Sequence, residues 1–198
     1  MRTRAAVLRE LNTPWSVEEI ELDPPKAGEV LVKLAASGLC HSDEHVLTGD
    51  LAGACPSPPM VGGHEGAGVV VECGAGVDWL QPGDHVVFGF IPACGRCMSC
   101  VSGHSNVCDN ATTFATGMQI SDGTSRHHTL DGLDLGVMCL LGTFSEHTVV
   151  NESSCVKIEK DWPMDKACLL GCGVVTGWGS AVYAADVQPG DYVAVVGV

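Results

Sequence analysis

Gly62-Gly63-His64-Glu65-Gly66-Ala67-Gly68-Val69-Val70-Val71-Glu72 sets a histidine in a glycine-rich corner and follows it with a β-branched run. Glycine pairs let the backbone turn tightly, and consecutive valines fit a pleated surface, so the segment reads as turn, then strand. The same grammar extends outward. Glu29-Val-Leu-Val-Lys-Leu-Ala35 is a second β-rich run, with breaks at Pro24-Pro25-Lys26-Ala27-Gly28 and Gly74-Ala75-Gly76. Gln81-Pro82-Gly83-Asp84 feeds a further strand, His85-Val-Val-Phe88, and Phe144-Ser-Glu-His-Thr-Val-Val150 returns to strand. Many short strands with irregular Gly and Pro corners predict a mainly β fold, a small distorted barrel over residues 5–90. Residues 111–142, rich in Gly and Thr and without a clear period, read as loop, and His127 and His128 are left within it.

Cys94-Gly-Arg-Cys97-Met-Ser-Cys100, closed by Cys108, is an excursion from the barrel over residues 92–110. Four thiols so close together can wrap one tetrahedral ion, and zinc suits thiolate sulfur because its filled d shell imposes no geometry of its own. Gly95 and Gly103 supply tight turns in the lobe. The alternatives are two disulfides or four unrelated buried thiols; a disulfide across two residues is strained, so a closed structural Cys₄ zinc is the expectation.

Towards the end the pattern changes. Asp165-Lys-Ala-Cys-Leu-Leu170 resembles a helical turn, Val174 to Ala185 a helix, and Gln188-Pro189-Gly190-Asp191 a turn. Tyr192-Val-Ala-Val-Val-Gly-Val198 has the pattern of a buried strand opening a parallel α/β sheet. Its sequel would be a glycine-rich phosphate-binding turn. Residues 1–174 are therefore expected as one domain, and 175–198 as the truncated start of a dinucleotide-binding domain.

Composition bounds the partners. The chain has 198 residues, 45% hydrophobic, and a net charge of −14 from 24 acidic and 10 basic side chains. Such a surface repels phosphates, which argues against nucleic acid and anionic membrane surfaces as partners. The N-terminal residues lack a secretory core and no apolar run is long enough to span a bilayer, so a cytoplasmic protein is expected. In that compartment 11 cysteines read as metal ligands and buried thiols rather than a disulfide framework. Cys55, Cys73, Cys139, Cys155 and Cys168 have no assignable task, and buried hydrophobe is their default.

Outside the lobe lies a second set of candidate ligands. Cys40-His41-Ser42-Asp43-Glu44-His45 follows a strand, His64 precedes one, and Gly171-Cys172-Gly173 adjoins the final helix. Two cysteines and a histidine from distant turns make a three-ligand site with a fourth position open, as catalytic zinc requires. Singly, each residue reads as an inert thiol or a turn histidine; the combination with the Cys₄ lobe is what is specific.

At Gly38-Leu-Cys-His-Ser-Asp43, Gly63-His-Glu-Gly-Ala-Gly68, the Cys₄ lobe and Gly171-Cys-Gly-Val-Val-Thr-Gly177 the sequence resembles the medium-chain, zinc-dependent alcohol dehydrogenases. Leu39–His45, Gly103–Cys108 and Leu141–Glu146 look most like an actinobacterial-type subgroup that includes nicotinoproteins, which hold NAD tightly and are assayed with a nitroso dye. The resemblance implies a GroES-like barrel, two Zn²⁺ per chain, NAD, a small alcohol or aldehyde as substrate, and a homo-oligomer in the full-length form. By motif, Cys40, His64 and Cys172 would ligate the catalytic zinc and Cys94, Cys97, Cys100 and Cys108 the structural one. Asp43 would orient the ligand histidine, and Glu65 would lie behind the metal. Ser42 would accept the substrate hydroxyl proton and His45 pass it towards solvent. His41 would contact the cofactor pyrophosphate, Thr176 would face the nicotinamide, and Phe90 the substrate pocket.

The implied reaction oxidises a primary alcohol to an aldehyde. The acid–base parts lie in these residues, while the glycine loop and the acidic residue that selects NAD do not, so the isolated chain is expected to be inactive. A thiol-adduct-dependent formaldehyde dehydrogenase is a variant of this reading. A non-catalytic zinc-binding module acting through a protein partner is an alternative of another class.

Overall fold

The computed structural model describes residues 1–196. Among the described residues, ten strands form two sheets. Strands β1 (Arg2–Leu8), β2 (Ser16–Leu22), β7 (His127–His128), β8 (Asp134–Val137) and β4 (Met60–Val61) close a small barrel in that order. The second sheet runs β10 (Cys155–Ile158), β6 (His85–Phe88), β5 (Gly66–Cys73), β3 (Glu29–Ser37) and β9 (His147–Asn151). Most neighbours are antiparallel; β4 and β8 run parallel.

The β3–β5 ladder carries the molecule's longest pairing and two register shifts, at Leu31/Val32 and Leu34/Ala36. Bulges of this kind bend a sheet and raise its twist. Gly68 sits where they matter, since a Cβ there would meet the Lys33 carbonyl at 2.4 Å. Val30, Val32, Val70, Val86 and Phe88 pack in the largest core cluster, with Leu141 and Val150. Full burial of such a side chain contributes roughly 1.5–3 kcal/mol. Ala5, Val7, Ile20, Val61, Leu135 and Val137 form a separate core associated with the closed sheet.

Three expectations are corrected. First, the region expected to be β throughout is interrupted by helix α1 (His41–Thr48), ended by Gly49 at φ 87°. The ligand motif therefore opens a helix, with Cys40 as its extended N-cap residue. Second, residues 111–142 are not simply loop. They hold β7, β8 and two short 3₁₀ turns, and β7 and β8 complete the barrel. Their strands are too short to show a period of two. Arg126 anchors the segment by a bidentate pair with Glu29 of β3, at 2.9 and 2.7 Å, both side chains fully buried. His128 is likewise tied, to Asp134 at 2.8 Å and Asp23 at 3.2 Å. Third, the strand expected over 192–198 does not form across Tyr192–Val196, which is exposed and without a partner strand among the described residues. Residues 197 and 198 of that expectation lie outside the described residues.

Short helices α2 (Met98–Val101) and α3 (Met164–Ala167) lie in the cysteine lobe and before the site; α4 (Gly173–Gly179) continues as a π turn over Ser180–Ala184. The expected helix from Val174 is thus present. No single described helix is long and apolar enough to cross a membrane.

Candidate metal centres

The lobe thiols converge. Sγ of Cys94 lies 3.9 Å from that of Cys100, and Sγ of Cys97 lies 3.8 Å from that of Cys108. A zinc–sulfur bond of about 2.3 Å in a tetrahedron requires sulfurs about 3.8 Å apart, so the set fits a single zinc ion. All four are free thiols, which excludes the disulfide alternative for this structure. Backbone N–H groups of Cys97 and Cys100 donate to Cys94 Sγ and Cys97 Sγ, each at 3.4 Å. Gly95 and Gly103 adopt φ +71° and +86°, the left-handed turns the winding needs. The N–H groups of Arg96 and Cys97 bring the Cys94 thiol down to about 6, whereas burial and the neighbouring thiols push Cys100 up to about 12. Four thiolates together need a cation to offset their repulsion.

The second centre is assembled from three turns. Ligand atoms of Cys40, His64, Glu65 and Cys172 all lie within 4.8 Å of one another. Cys40 stands at the N-cap of α1, His64 in the corner before β5, and Cys172 between a 3₁₀ turn and α4. Gly63 at φ +85° makes the corner, and a Cβ there would strike Phe144 at 2.4 Å. Two sulfurs and an imidazole suit zinc, and the set fits it.

Asp43 braces two of the ligands. It is buried; its Oδ2 accepts the Cys40 N–H at 2.9 Å, and its Oδ1 lies 3.4 Å from His64 Nδ1. The second contact lacks the alignment of a full hydrogen bond, leaving both atoms formally unpartnered in burial. Burial opposes protonation of His64, but the Asp43 carboxylate and Cys40 more than offset it, so its pKa is raised. Burial also raises the Cys40 thiol, yet the Ser42 N–H and hydroxyl and His64 bring it below its ordinary value. Cys172 is pushed up to about 11, chiefly by burial.

Glu65, expected behind the metal, joins the donor cluster with its carboxylate while Oε1 accepts the Gly173 N–H at 3.0 Å. Gly38 makes room for it, because a Cβ there would sit 2.0 Å from Glu65 Oε2. The packing of Gly38 against Glu65 has no local sequence signal. Phe90 packs edge-on to the His64 ring at 6.2 Å, and Thr176 Oγ1 lies 3.8 Å from Cys172 Sγ. Ser42 Oγ lies 3.6 Å from Cys40 Sγ. No hydrogen bond joins Ser42 to His45 among the described residues; the His45 ring instead meets that of His41, with centroids 4.6 Å apart.

Two donor clusters, one of four thiols and one of two thiols with an imidazole and a carboxylate, thus sit on the barrel and its lobe. Residues 26–160 match the alcohol dehydrogenase GroES-like domain, and the chain belongs to that family. It is 51% identical to alcohol dehydrogenase B of Mycobacterium tuberculosis over 198 residues, covering all of this chain and 52% of that protein. It is also 51% identical to the NDMA-dependent alcohol dehydrogenase of Amycolatopsis methanolica, with the same coverage. A zinc-binding-domain alcohol dehydrogenase from Burkholderia ambifaria superposes with a TM-score of 0.85 at 34% identity, over 95% of this chain and 50% of that one. The chain thus spans about half the length of the curated relatives it matches.

Proposed function

We propose that this chain is the metal-holding part of a zinc-dependent alcohol dehydrogenase that oxidises a primary alcohol to an aldehyde with hydride transfer to NAD. The observation that supports this best is the meeting of Cys40, His64 and Cys172 from three distant turns, with Glu65 beside them. Zinc bound there would act as a Lewis acid on the substrate oxygen and ease loss of the hydroxyl proton.

The chain's own residues supply the remaining work. Asp43 holds the His64 ring and the Cys40 backbone in place. Ser42, beside Cys40, takes the substrate hydroxyl proton; His45, on the next turn of α1, releases it to solvent. His41, exposed at the start of the same helix, meets the pyrophosphate through a ring N–H. Thr176 sets the nicotinamide side of the site, and Phe90 forms an apolar wall against the substrate. Residues 175–198 belong to the dinucleotide-binding unit, and the protein is a cytoplasmic homo-oligomer in its full-length form.

Two measurements test this. The intact polypeptide containing this chain should reduce NAD with a primary alcohol, while residues 1–198 alone should not. Turnover restricted to the adduct of formaldehyde with a thiol would favour the formaldehyde dehydrogenase variant. Two zinc ions per chain with no turnover would favour a non-catalytic module. Cys172→Ala should lose one zinc per chain and keep the other; loss of both would mean that the division into two sites is mistaken.

A further inference from the structure

We propose that His41 and His45 form a third metal site, taking one imidazole-seeking divalent ion of the copper(II) or nickel(II) type. The two histidines lie four residues apart on α1, which places them on one face of the helix one turn apart. Histidines at this spacing are the helical way of presenting two imidazoles to one ion. Their rings are already close, with centroids 4.6 Å apart and planes inclined at 71°. An ion bound about 2.05 Å from each ring nitrogen sits roughly 3.2 Å from each centroid; ligands at right angles then place the centroids about 4.5 Å apart, and a tetrahedral angle about 5.2 Å. The observed centroid spacing of 4.6 Å lies nearer the right-angle value. That is the geometry of tetragonal and octahedral ions rather than of tetrahedral zinc.

The surroundings allow such an ion to enter. His41 is exposed and His45 half-buried, and no described residue hydrogen-bonds either ring. Neither is among the ligands of the two zinc centres, so the third ion need displace nothing. The chain's net charge of −14 draws cations to the surface, and exposed Glu44 precedes His45 in the chain. Water would fill the remaining positions. The site goes beyond the proposed enzymatic reading and stands or falls without it. Where that reading holds, an ion on this pair would occupy both the pyrophosphate contact and the proton exit, and so inhibit.

The test uses the zinc-loaded chain without dinucleotide, dialysed against Ni²⁺, with bound nickel and retained zinc both measured. Nickel is the probe because copper(II) would oxidise the free thiols. We expect one nickel per chain with both zinc ions retained, and a loss of nickel affinity of at least tenfold in His41→Gln and again in His45→Gln. Zinc content reports that each variant keeps its fold. The proposal is overturned if no stoichiometric nickel binds, if both variants bind it like the parent, or if zinc leaves as nickel enters, which would place nickel among the thiolates.

Discussion

The carboxylate of Asp43 holds the Cys40 N–H with one oxygen and turns the other to His64, so one buried side chain orients two of the three nitrogen and sulfur donors. Support of this kind fixes a ligand's orientation and basicity, and its removal costs roughly 10–100-fold in metal affinity. Asp43→Asn should therefore weaken zinc at this centre by that order and leave the lobe zinc in place, which competition with a chelator would resolve as one labile and one tight ion. Equal weakening of both would show a general loss of fold instead. The residue types at this centre were legible in the sequence, because thiols and imidazoles stand out chemically. The hydrogen bond from Cys40 to Asp43 was not, since it depends on α1 starting at His41. In that short, polar stretch the helix signals are weak: acidic Asp43 and Glu44 in the first turn and a glycine at the C-terminal end.

At the scale of elements, β7 shows how a strand of two residues escapes notice and still carries consequence. It bridges β2 and β8, and places His127 in full burial, where the ring reaches Thr148 Oγ1 at 3.3 Å. Burial, with smaller repulsion from His128 and Arg126, drops its pKa to about 3. The sign follows. Between the unfolded value near 6.5 and the folded value, the unfolded chain binds a proton that the folded chain refuses, so stability falls as the pH falls. From pH 7 to pH 5 this residue alone should cost about 2 kcal/mol. His127→Gln should remove that part of the decline, seen as a shallower loss of urea-unfolding stability over this range. Parallel declines in the two proteins would mean that His127 is not buried neutral. The lobe was far more readable than β7, because four cysteines within one short loop need no distant partner to meet.

Across the whole molecule, the Arg126–Glu29 pair ties the segment that completes the barrel to β3 of the other sheet. Lys26 N–H adds a bond to Glu29 at 2.9 Å, and Thr124 Oγ1 accepts from Arg126 at 2.6 Å. Removing one partner of a fully buried pair strands the other charge, at roughly 3–5 kcal/mol. Arg126→Met should lose stability of that order in chemical unfolding, and the double change with Glu29→Met should recover much of it. A single variant as stable as the parent would show that the pair is solvated. Along α4 and the turn after it, Val174, Val175, Trp178 and Tyr183 are exposed apolar side chains. Large exposed apolar faces mark interaction sites. In our proposal the dinucleotide-binding unit covers these side chains.

The linear order of residues was enough to establish what depends on neighbours along the chain: strands from β-branched runs, corners from glycine, and a thiol lobe that closes on itself. It also named the chemical type of each donor in the Cys40–His64–Cys172 cluster. Only tertiary packing decided whether Cys40, His64 and Cys172 would meet, which segments would close the barrel, and whether the valine-rich run after Tyr192 would become a strand. The reason is the same in each case. A ladder bond or a shared ligand sphere joins residues far apart in the chain, and it forms only when the whole fold brings its second half within reach.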